Sequence, residues 1–125
     1  MSSESLHEPA EKLSPATIDR HRATVSLMEE LEAVDWYDQR IDAATDEELK
    51  AVLRHNRDEE KEHAAMVLEW LRRHDPVLDQ QLRTYLFKGG DIMAAEAEAE
   101  GGAEPADAGD GSLGIGDLRK EEVAP

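Results

Sequence analysis

The 125-residue chain contains no cysteine and few aromatic side chains, with two tryptophans, two tyrosines and one phenylalanine. Without cysteine it can form neither a disulfide framework nor a thiolate metal site. It also lacks an apolar run long enough to span a membrane, and its N-terminus has no signal-peptide pattern. We therefore expect a cytoplasmic protein that does not associate with membranes.

Basic residues are scarce, since 14 lysines and arginines stand against 30 acidic residues, and the formal net charge is −16. Nucleic-acid binding needs a cationic surface, so this composition argues against a nucleic-acid partner. The charge suits cations as partners. High solubility alone would also explain it, so the charge by itself does not identify a function.

The last third of the chain has little to pack. Residues 91–111 hold seven acidic residues and no basic one. Such a segment buries too little apolar surface to offset the entropy of ordering, so we expect a disordered acidic linker there. The N-terminal residues 1–13 are expected to form a flexible arm. The folding part is therefore residues 14–90, a core so small that association with a second copy would help to stabilise it.

Helix signals divide this folding part into three helices. Ser14-Pro15 is typical of a helix start, and no Gly or Pro follows until after Ala44. The stretch Thr45–Glu48 resembles a capping box with Thr45 as the cap, which predicts a second helix over about 46–73. Asp75-Pro76 ends that helix and begins a short third one, which we expect to continue to about Phe87, before Gly89-Gly90.

The fold class that follows is all-α. Two helices of roughly 28–30 residues, joined by a short link, form an antiparallel hairpin, and the short third helix follows. One hairpin buries a single seam, whereas two hairpins make a four-helix bundle. We therefore expect a two-fold dimer.

Three polar residues interrupt the apolar stripes of the long helices. Glu30 lies on an arc otherwise formed by Leu27, Val34, Tyr37 and Ile41. Glu60 and His63 lie on the stripe formed by Leu49, Val52, Leu53, Asn56, Val67, Trp70 and Leu71. Because the expected turn lies near residue 45, midway between Glu30 and Glu60, the two carboxylates should meet at the same height.

A buried polar network is one interpretation of this cluster, because an isolated Glu-x-x-His is common by chance in a Glu-rich helix. A carboxylate at matching height on the facing helix favours a metal site, and carboxylate with imidazole suits iron or manganese. Di-iron bundles use one Glu from each of two helices and Glu-x-x-His from each of the other two. This chain provides half of that set, so a dimer would complete it.

Further polar residues lie beside these stripes. Tyr37 is two turns after Glu30 and is more typical of a core residue than of a metal neighbour. Each long helix carries a second set of residues at helical spacing beside its stripe. The set on the first helix is Glu29, Glu32 and Trp36, and the set on the second is His55, Glu59 and Glu62. A solvated face explains most charge runs of this kind, and a path that guides cations to the inner residues is the alternative.

Two long strings then show a family resemblance. "MEELEAVDWYDQR" over 28–40 and "HNRDEEKEHAAMVLEWLRRHDP" over 55–76 resemble the encapsulated ferritins, in a region that extends from about His21 to Phe87. The resemblance implies a ferritin-like fold and a ferroxidase with a di-iron centre at a dimer interface. It also implies a ring-shaped decamer of five dimers.

By residue match, the resemblance makes Glu30, Glu60 and His63 of two chains the iron ligands, with Tyr37 adjacent. It makes Glu29, Glu32 and Trp36 a transit site, and His55, Glu59 and Glu62 an outer metal site, for which calcium is a candidate. For both outer sets, the resemblance therefore favours metal sites over a solvated face.

The tail shows a second resemblance. "SLGIGDL" over 112–118 is similar to the peptide by which cargo proteins dock on the inner wall of encapsulin shells. Leu113, Ile115 and Leu118 are the large apolar residues there, and they would fill shallow pockets of the shell. Residues 112–125 are thus expected to be the docking peptide and C-terminus, and the protein to reside in the lumen of the nanocompartment.

Two other functions compete with the ferroxidase. The chain could be a non-catalytic metal-binding cargo protein that holds Fe(II), Zn(II) or Ca(II) at the same residues. It could instead be a helical interaction protein whose bundle serves as a spacer for the tail peptide.

Overall fold

A computed structural model of the chain describes residues 5–102. Within that range every regular element is helical, and none is a strand, which confirms the all-α class. The described residues divide into two units, one ending at His74 and the other beginning at Asp75. None of the helices described is long and apolar enough to cross a membrane.

The first unit begins with a 3-10 turn over Ala10–Lys12. Helix α1 follows over Pro15–Ala43. It starts where the sequence predicts, because the Ser14 hydroxyl accepts a hydrogen bond from the Thr17 backbone N–H at 3.1 Å and Pro15 occupies the first helical position.

Helix α2 covers Glu47–Arg73. The predicted cap at Thr45 is wrong. Asp46 caps the helix, and its carboxylate accepts from the Leu49 backbone N–H at 2.8 Å. An ionised carboxylate satisfies a free helix N–H and also favours the positive end of the helix dipole, which explains why Asp46 rather than its neighbour takes the position.

The C-terminal end of α2 carries a local ion-pair cluster. The side chains of Arg72 and Arg73 donate to the Glu69 carboxylate at 2.8 and 2.7 Å. These two guanidinium groups, Arg72 first, lower the pKa of Glu69 to about 2. The His74 ring stacks on Trp70 with centroids 3.8 Å apart, and its Nδ1 lies 2.8 Å from the Trp70 carbonyl. The helix thus ends in cations, which suit its negative end.

Helices α1 and α2 pack as the expected hairpin. The predicted arc of α1 is buried or half-buried throughout, as is the stripe of α2 from Leu53 onward. Leu49 and Val52 differ, since 48% and 50% of their surfaces are exposed. Two helices cover each other along one seam only, so residues at the edge of a stripe are left exposed to solvent.

An ion pair also joins the two helices. Arg57 of α2 donates to Asp38 of α1 at 3.0 Å and to its own neighbour Asp58 at 3.2 Å. These carboxylates raise the pKa of the guanidinium, Asp38 first. The pair links the two helices one turn from Glu60.

The second unit contains two shorter helices. Helix α3 covers Pro76–Tyr85, and Asp75 caps it by accepting from the Leu78 backbone N–H at 3.0 Å. It ends before the predicted Phe87 and before the glycines. Phe87 adopts a left-handed backbone with φ of 62°, a conformation that stops a helix.

Helix α4 covers Ile92–Gly102, where a disordered linker was expected. That expectation is wrong for these residues. Asp91 caps the helix through the Ala94 backbone N–H at 3.0 Å, and alternating Ala and Glu are strong helix formers. The composition of this segment indicates how little apolar surface it can bury, whereas the intrinsic helix propensity of Ala and Glu is a separate contribution.

Candidate metal centre

One cluster of metal-ligating side chains forms between α1 and α2. Glu30, Glu60 and His63 each offer a ligand atom, and these atoms lie within 4.8 Å of one another. His63 Nδ1 is 3.3 Å from the Glu60 carboxylate and 3.7 Å from that of Glu30. The juxtaposition expected from the position of the turn is therefore present within one chain.

Helix geometry explains how the cluster is built. Glu60 and His63 are three residues apart on α2, so their side chains leave the same face. Glu30 reaches them from α1, where it lies on the half-buried arc. Only about a quarter of each glutamate side chain is exposed, against 41% for His63. The carboxylates thus line the seam, and the imidazole lies nearer its open side.

The electrostatics of the cluster show two carboxyl groups competing for one proton. The pKa of Glu30 is raised, first by its hydrogen bond with Glu60, then by partial burial and by the nearby Glu60 charge. The pKa of Glu60 is lowered, first by the same hydrogen bond and then by His63. Of the two carboxyl groups, Glu30 is therefore the one whose charged form is less favoured. A divalent cation bound between them would relieve their repulsion.

The carboxylates around His63 act on the pKa of its imidazole. Its pKa is raised, chiefly by the hydrogen bond to Glu60 and further by the charges of Glu30, Glu60 and Glu59. Its second ring nitrogen, Nε2, lies 3.9 Å from Glu59. Two glutamates therefore face one nitrogen of the ring, and a third glutamate faces the other.

The two aromatic residues proposed beside the centre share a cation. The Arg40 guanidinium carbon lies 5.9 Å from the Trp36 ring and 5.7 Å from the Tyr37 ring. Cation–π contacts of this length are favourable. Tyr37 is half-buried, whereas 48% of Trp36 is exposed.

The outer residues do not form a comparable cluster within one chain. Among residues 5–102, the inner three make up the only group that meets the distance criterion for a metal site. The Glu29, Glu32 and Trp36 set and the His55, Glu59 and Glu62 set stay predictions. The docking residues Leu113, Ile115 and Leu118 lie outside the described part of the chain.

Comparison with known proteins shows the family of this chain. Residues 5–89 match the family model described as EncFtn-like. The chain belongs to the EncFtn-like family. The resemblance to the encapsulated ferritins is thereby confirmed.

Named relatives agree with the family model. An "Encapsulated ferritin-like protein" of Rhodospirillum rubrum is 64% identical over 96% of this chain and 91% of its own. A "Ferritin-like protein" of Thermotoga maritima is 51% identical over 87% of this chain and 93% of its own. The "Encapsulin nanocompartment cargo protein EncC" of Myxococcus xanthus is 34% identical over 77% of this chain and 81% of its own.

A solved structure shares the fold. The crystal structure of protein ne0167 from Nitrosomonas europaea superposes with a TM-score of 0.69 at 60% sequence identity. The match covers 70% of this chain and 97% of that chain. An experimental structure therefore supports the helical arrangement of the EncFtn-like chain.

Sequence reasoning missed two contacts near the centre. The Arg57–Asp38 pair was not predicted, because Arg57 looked like one of several solvated cations on α2. The approach of Glu59 to His63 was missed as well. The i, i+4 spacing of these two residues is the signal in the sequence that could have indicated the contact.

The position of the His63 pKa can be tested directly. Replacing Glu60 by Gln removes the carboxylate that raises it most, so the His63 pKa should fall toward its ordinary value. In the wild type, the contact between protonated His63 and Glu60 stabilises the fold at pH values below the unfolded-state pKa of His63. This stabilisation is lost as the pH rises through the higher folded-state pKa of His63. An NMR titration of the metal-free protein measures this, with Glu48→Gln as the control. An unchanged His63 titration in Glu60→Gln would contradict the assignment.

Proposed function

We propose that this EncFtn-like protein is a ferroxidase that oxidises Fe(II) to Fe(III) at a di-iron centre shared by two chains. The observation that carries the proposal is the convergence of Glu30, Glu60 and His63 from two helices within 4.8 Å. Two oxygen donors and one imidazole nitrogen suit iron, although manganese accepts similar ligands.

The ligand count supports a dimer. Two copies of a set with two glutamates and one histidine give four glutamates and two histidines, which is the ligand set of di-iron carboxylate bundles. A single chain offers too few ligands to surround two ions. The second copy would supply the missing half, and the paired hairpins would then form a ferritin-like four-helix bundle.

Exposed apolar side chains on the hairpin also support association. Met28, Leu31 and Met66 are 39%, 54% and 59% exposed, alongside the open Val52. Ile41, Ala64 and Leu71 are the buried apolar residues of the described chain, a very small core for two long helices. A partner hairpin would cover much of this surface. Beyond the dimer, we propose the decameric ring implied by the family resemblance.

The chemistry follows from the charges of the ligands. Anionic carboxylates stabilise Fe(III) over Fe(II), which lowers the cost of removing an electron from each ion. Two Fe(II) substrate ions yield two electrons, and dioxygen takes these with two protons to give hydrogen peroxide; peroxide could equally be the oxidant and be reduced to water. Iron bound between the glutamates would offset the repulsion that raises the pKa of Glu30.

Residues around the centre have proposed supporting roles. Tyr37 lies beside the iron ligands, and Glu29, Glu32 and Trp36 form a transit site that draws Fe(II) inward. His55, Glu59 and Glu62 form an outer site, for which calcium is a candidate occupant. The excess negative charge of the chain would raise the local concentration of Fe(II).

Removal of a ligand tests the assignment. Glu60→Ala and His63→Ala should abolish rapid Fe(II) oxidation, because the remaining donors no longer hold two ions in place. Stopped-flow absorbance after aerobic addition of Fe(II) measures the rate, and Glu48→Ala, an exposed glutamate near the start of α2, is the control. Wild-type rates in both ligand variants would contradict the proposal. Iron binding without turnover in the wild type would support the non-catalytic cargo protein instead.

We further propose that the protein is cargo of an encapsulin shell and delivers Fe(III) for mineral storage in the shell lumen. Two relatives, the encapsulated ferritin-like protein of Rhodospirillum rubrum and the encapsulin nanocompartment cargo protein of Myxococcus xanthus, support this proposal. The tail residues Leu113, Ile115 and Leu118 are the proposed contacts to the shell.

Co-expression with a shell protein tests the docking peptide. Deletion of residues 112–125 should leave the shells empty, since the apolar side chains that fill the wall pockets are removed. Deletion of 119–125 alone, which keeps those side chains, should leave loading unchanged. Cargo content is measured in purified shells by mass spectrometry. Equal loading in all three proteins would rule out this segment as the docking peptide.

A further inference from the structure

We propose that an apolar surface at the link between α3 and α4 binds the tail residues 113–120 of the same chain and thereby masks the shell-docking peptide. The masking role rests on the proposed docking of residues 112–125 to an encapsulin shell, whereas the contact itself does not. The tail lies outside the described residues, and the surface that would receive it lies within them.

The receiving surface consists of large apolar side chains that are close together in the chain. Leu86, Phe87, Ile92 and Met93 are 37%, 102%, 70% and 65% exposed, and we call them the link patch. Helix α3 ends just before these residues and α4 begins within them, and the two helices pack against each other. Large apolar side chains that are exposed together, rather than singly, are typical of a binding surface.

Phe87 is presented by an unusual backbone conformation. Its φ of 62° lies in the left-handed region, which bulky residues rarely adopt and which glycine or asparagine usually occupies at the end of a helix. Because the side chain is fully exposed, burial within the described residues does not compensate for this conformation. Backbone strain of this kind is often associated with a functional side chain.

The tail is long enough to reach the link patch of its own chain. Helix α4 has 11 residues and ends at Gly102, so it is about 16 Å long. Residues 103–112 can span up to roughly 33 Å, which is sufficient for Leu113 to return to the start of α4. A segment on so short a tether has an effective concentration on the order of millimolar, so a weak contact is enough to keep it bound.

Acidic side chains border the link patch on α4. Glu96, Glu98 and Glu100 follow the patch on this helix, which has no basic residue. Glu98 and Glu100 are exposed, and Glu96 is half-buried. The pKa of Tyr85 is raised first by burial and then by the charges of Glu96 and Glu100, so these two glutamates lie near the end of α3 that adjoins the patch. The surface therefore combines an apolar area with neighbouring negative charge.

The tail offers side chains that complement this surface. In residues 113–120, the large apolar side chains are Leu113, Ile115 and Leu118, and Arg119 and Lys120 come directly after them. These two are the only basic residues after position 88. When the apolar side chains cover the link patch, the two cations come within reach of the glutamates on α4. Their attraction distinguishes residues 113–120 from the acidic segment that precedes them.

Occupation of the link patch would hide the docking peptide. Leu113, Ile115 and Leu118 are also the proposed contacts to the shell wall, and they cannot bind both surfaces at once. The patch therefore lowers the apparent affinity of the tail for the shell in proportion to the fraction of chains that are masked. A shell that binds the peptide more tightly than the patch does would displace it.

Disulfide trapping in the full-length protein tests the contact, because the chain has no cysteine of its own. Lys88→Cys with Ser112→Cys places one thiol beside the link patch and one at the start of the docking peptide. The disulfide within one chain should form several-fold faster than in the same protein with Phe87→Asn and Ile92→Ser. Asparagine tolerates the left-handed backbone of residue 87, so the ring is removed without strain. Mass spectrometry of samples quenched at set times measures the rate.

Two further variants make this measurement specific. Val77→Ser removes a side chain of α3 that is 67% exposed, comparable to Ile92, and should leave the rate unchanged. Arg119→Glu with Lys120→Glu should slow the disulfide, since the tail would then be repelled by α4. Equal rates with and without the link patch would overturn the proposal. A disulfide that forms between chains and not within one would assign the patch to the tail of a second copy and refute masking within the chain.

Competition for a shell tests the masking role. Equal amounts of the wild type and the Phe87→Asn, Ile92→Ser variant are mixed with dissociated shell protein, the shell is reassembled, and mass spectrometry gives the ratio of the two chains inside. The variant should be enriched, because its docking peptide is free, whereas Val77→Ser should load like the wild type. Equal loading of the patch variant and the wild type would contradict masking. Absence of both chains from the shell would refute the docking role, and the disulfide measurement, which needs no shell, would still decide the contact.

Discussion

The packing of α1 against α2 determines which side chains can act together. A turn at residues 44–46 makes positions equidistant from it face each other, and Glu30 and Glu60 occupy two such positions. The Asp38–Arg57 ion pair, at 3.0 Å, is a contact between the helices that is compatible with this relative height. A shift of one helix by a single turn would move a carboxylate by about 5.4 Å and separate the ligands.

The same two-helix architecture is the basis of the proposed pairing of two chains. A hairpin buries one seam, and three apolar residues of the described chain are classed as buried while larger ones stay exposed. The three inner residues, Glu30, Glu60 and His63, lie along that seam. Incomplete burial and an incomplete ligand set therefore have one origin, and pairing of two hairpins would resolve both. Metal bound between the chains would also favour the paired form by mass action.

Much of this arrangement could be predicted from the sequence. Ser14-Pro15 and Asp75-Pro76 mark helix starts through local chemistry, so those positions were predicted correctly. The register of Glu30 with Glu60 follows from counting residues to the turn. The Asp46 cap, the end of α3 and the α4 helix were not predicted, because each depends on small differences in local backbone free energy.

The finer features of the site were also beyond sequence reasoning. Whether Glu59 faces His63 or the solvent depends on the rotamers of two side chains, and the spacing allows either. The cross-helix contact of Arg57 depends in the same way on a long, flexible side chain. Glu29 and His55 lie outside the inner cluster, and their roles in metal binding stay predictions.

Dependence of activity on pairing tests the central claim most directly. Fe(II) oxidation per chain should be measured over a dilution series, with the dimer fraction at each concentration determined by analytical ultracentrifugation. If the centre forms only between two chains, the rate per chain should fall in proportion to the dimer fraction. A folded monomer that oxidises Fe(II) as fast per chain as the dimer would contradict the account.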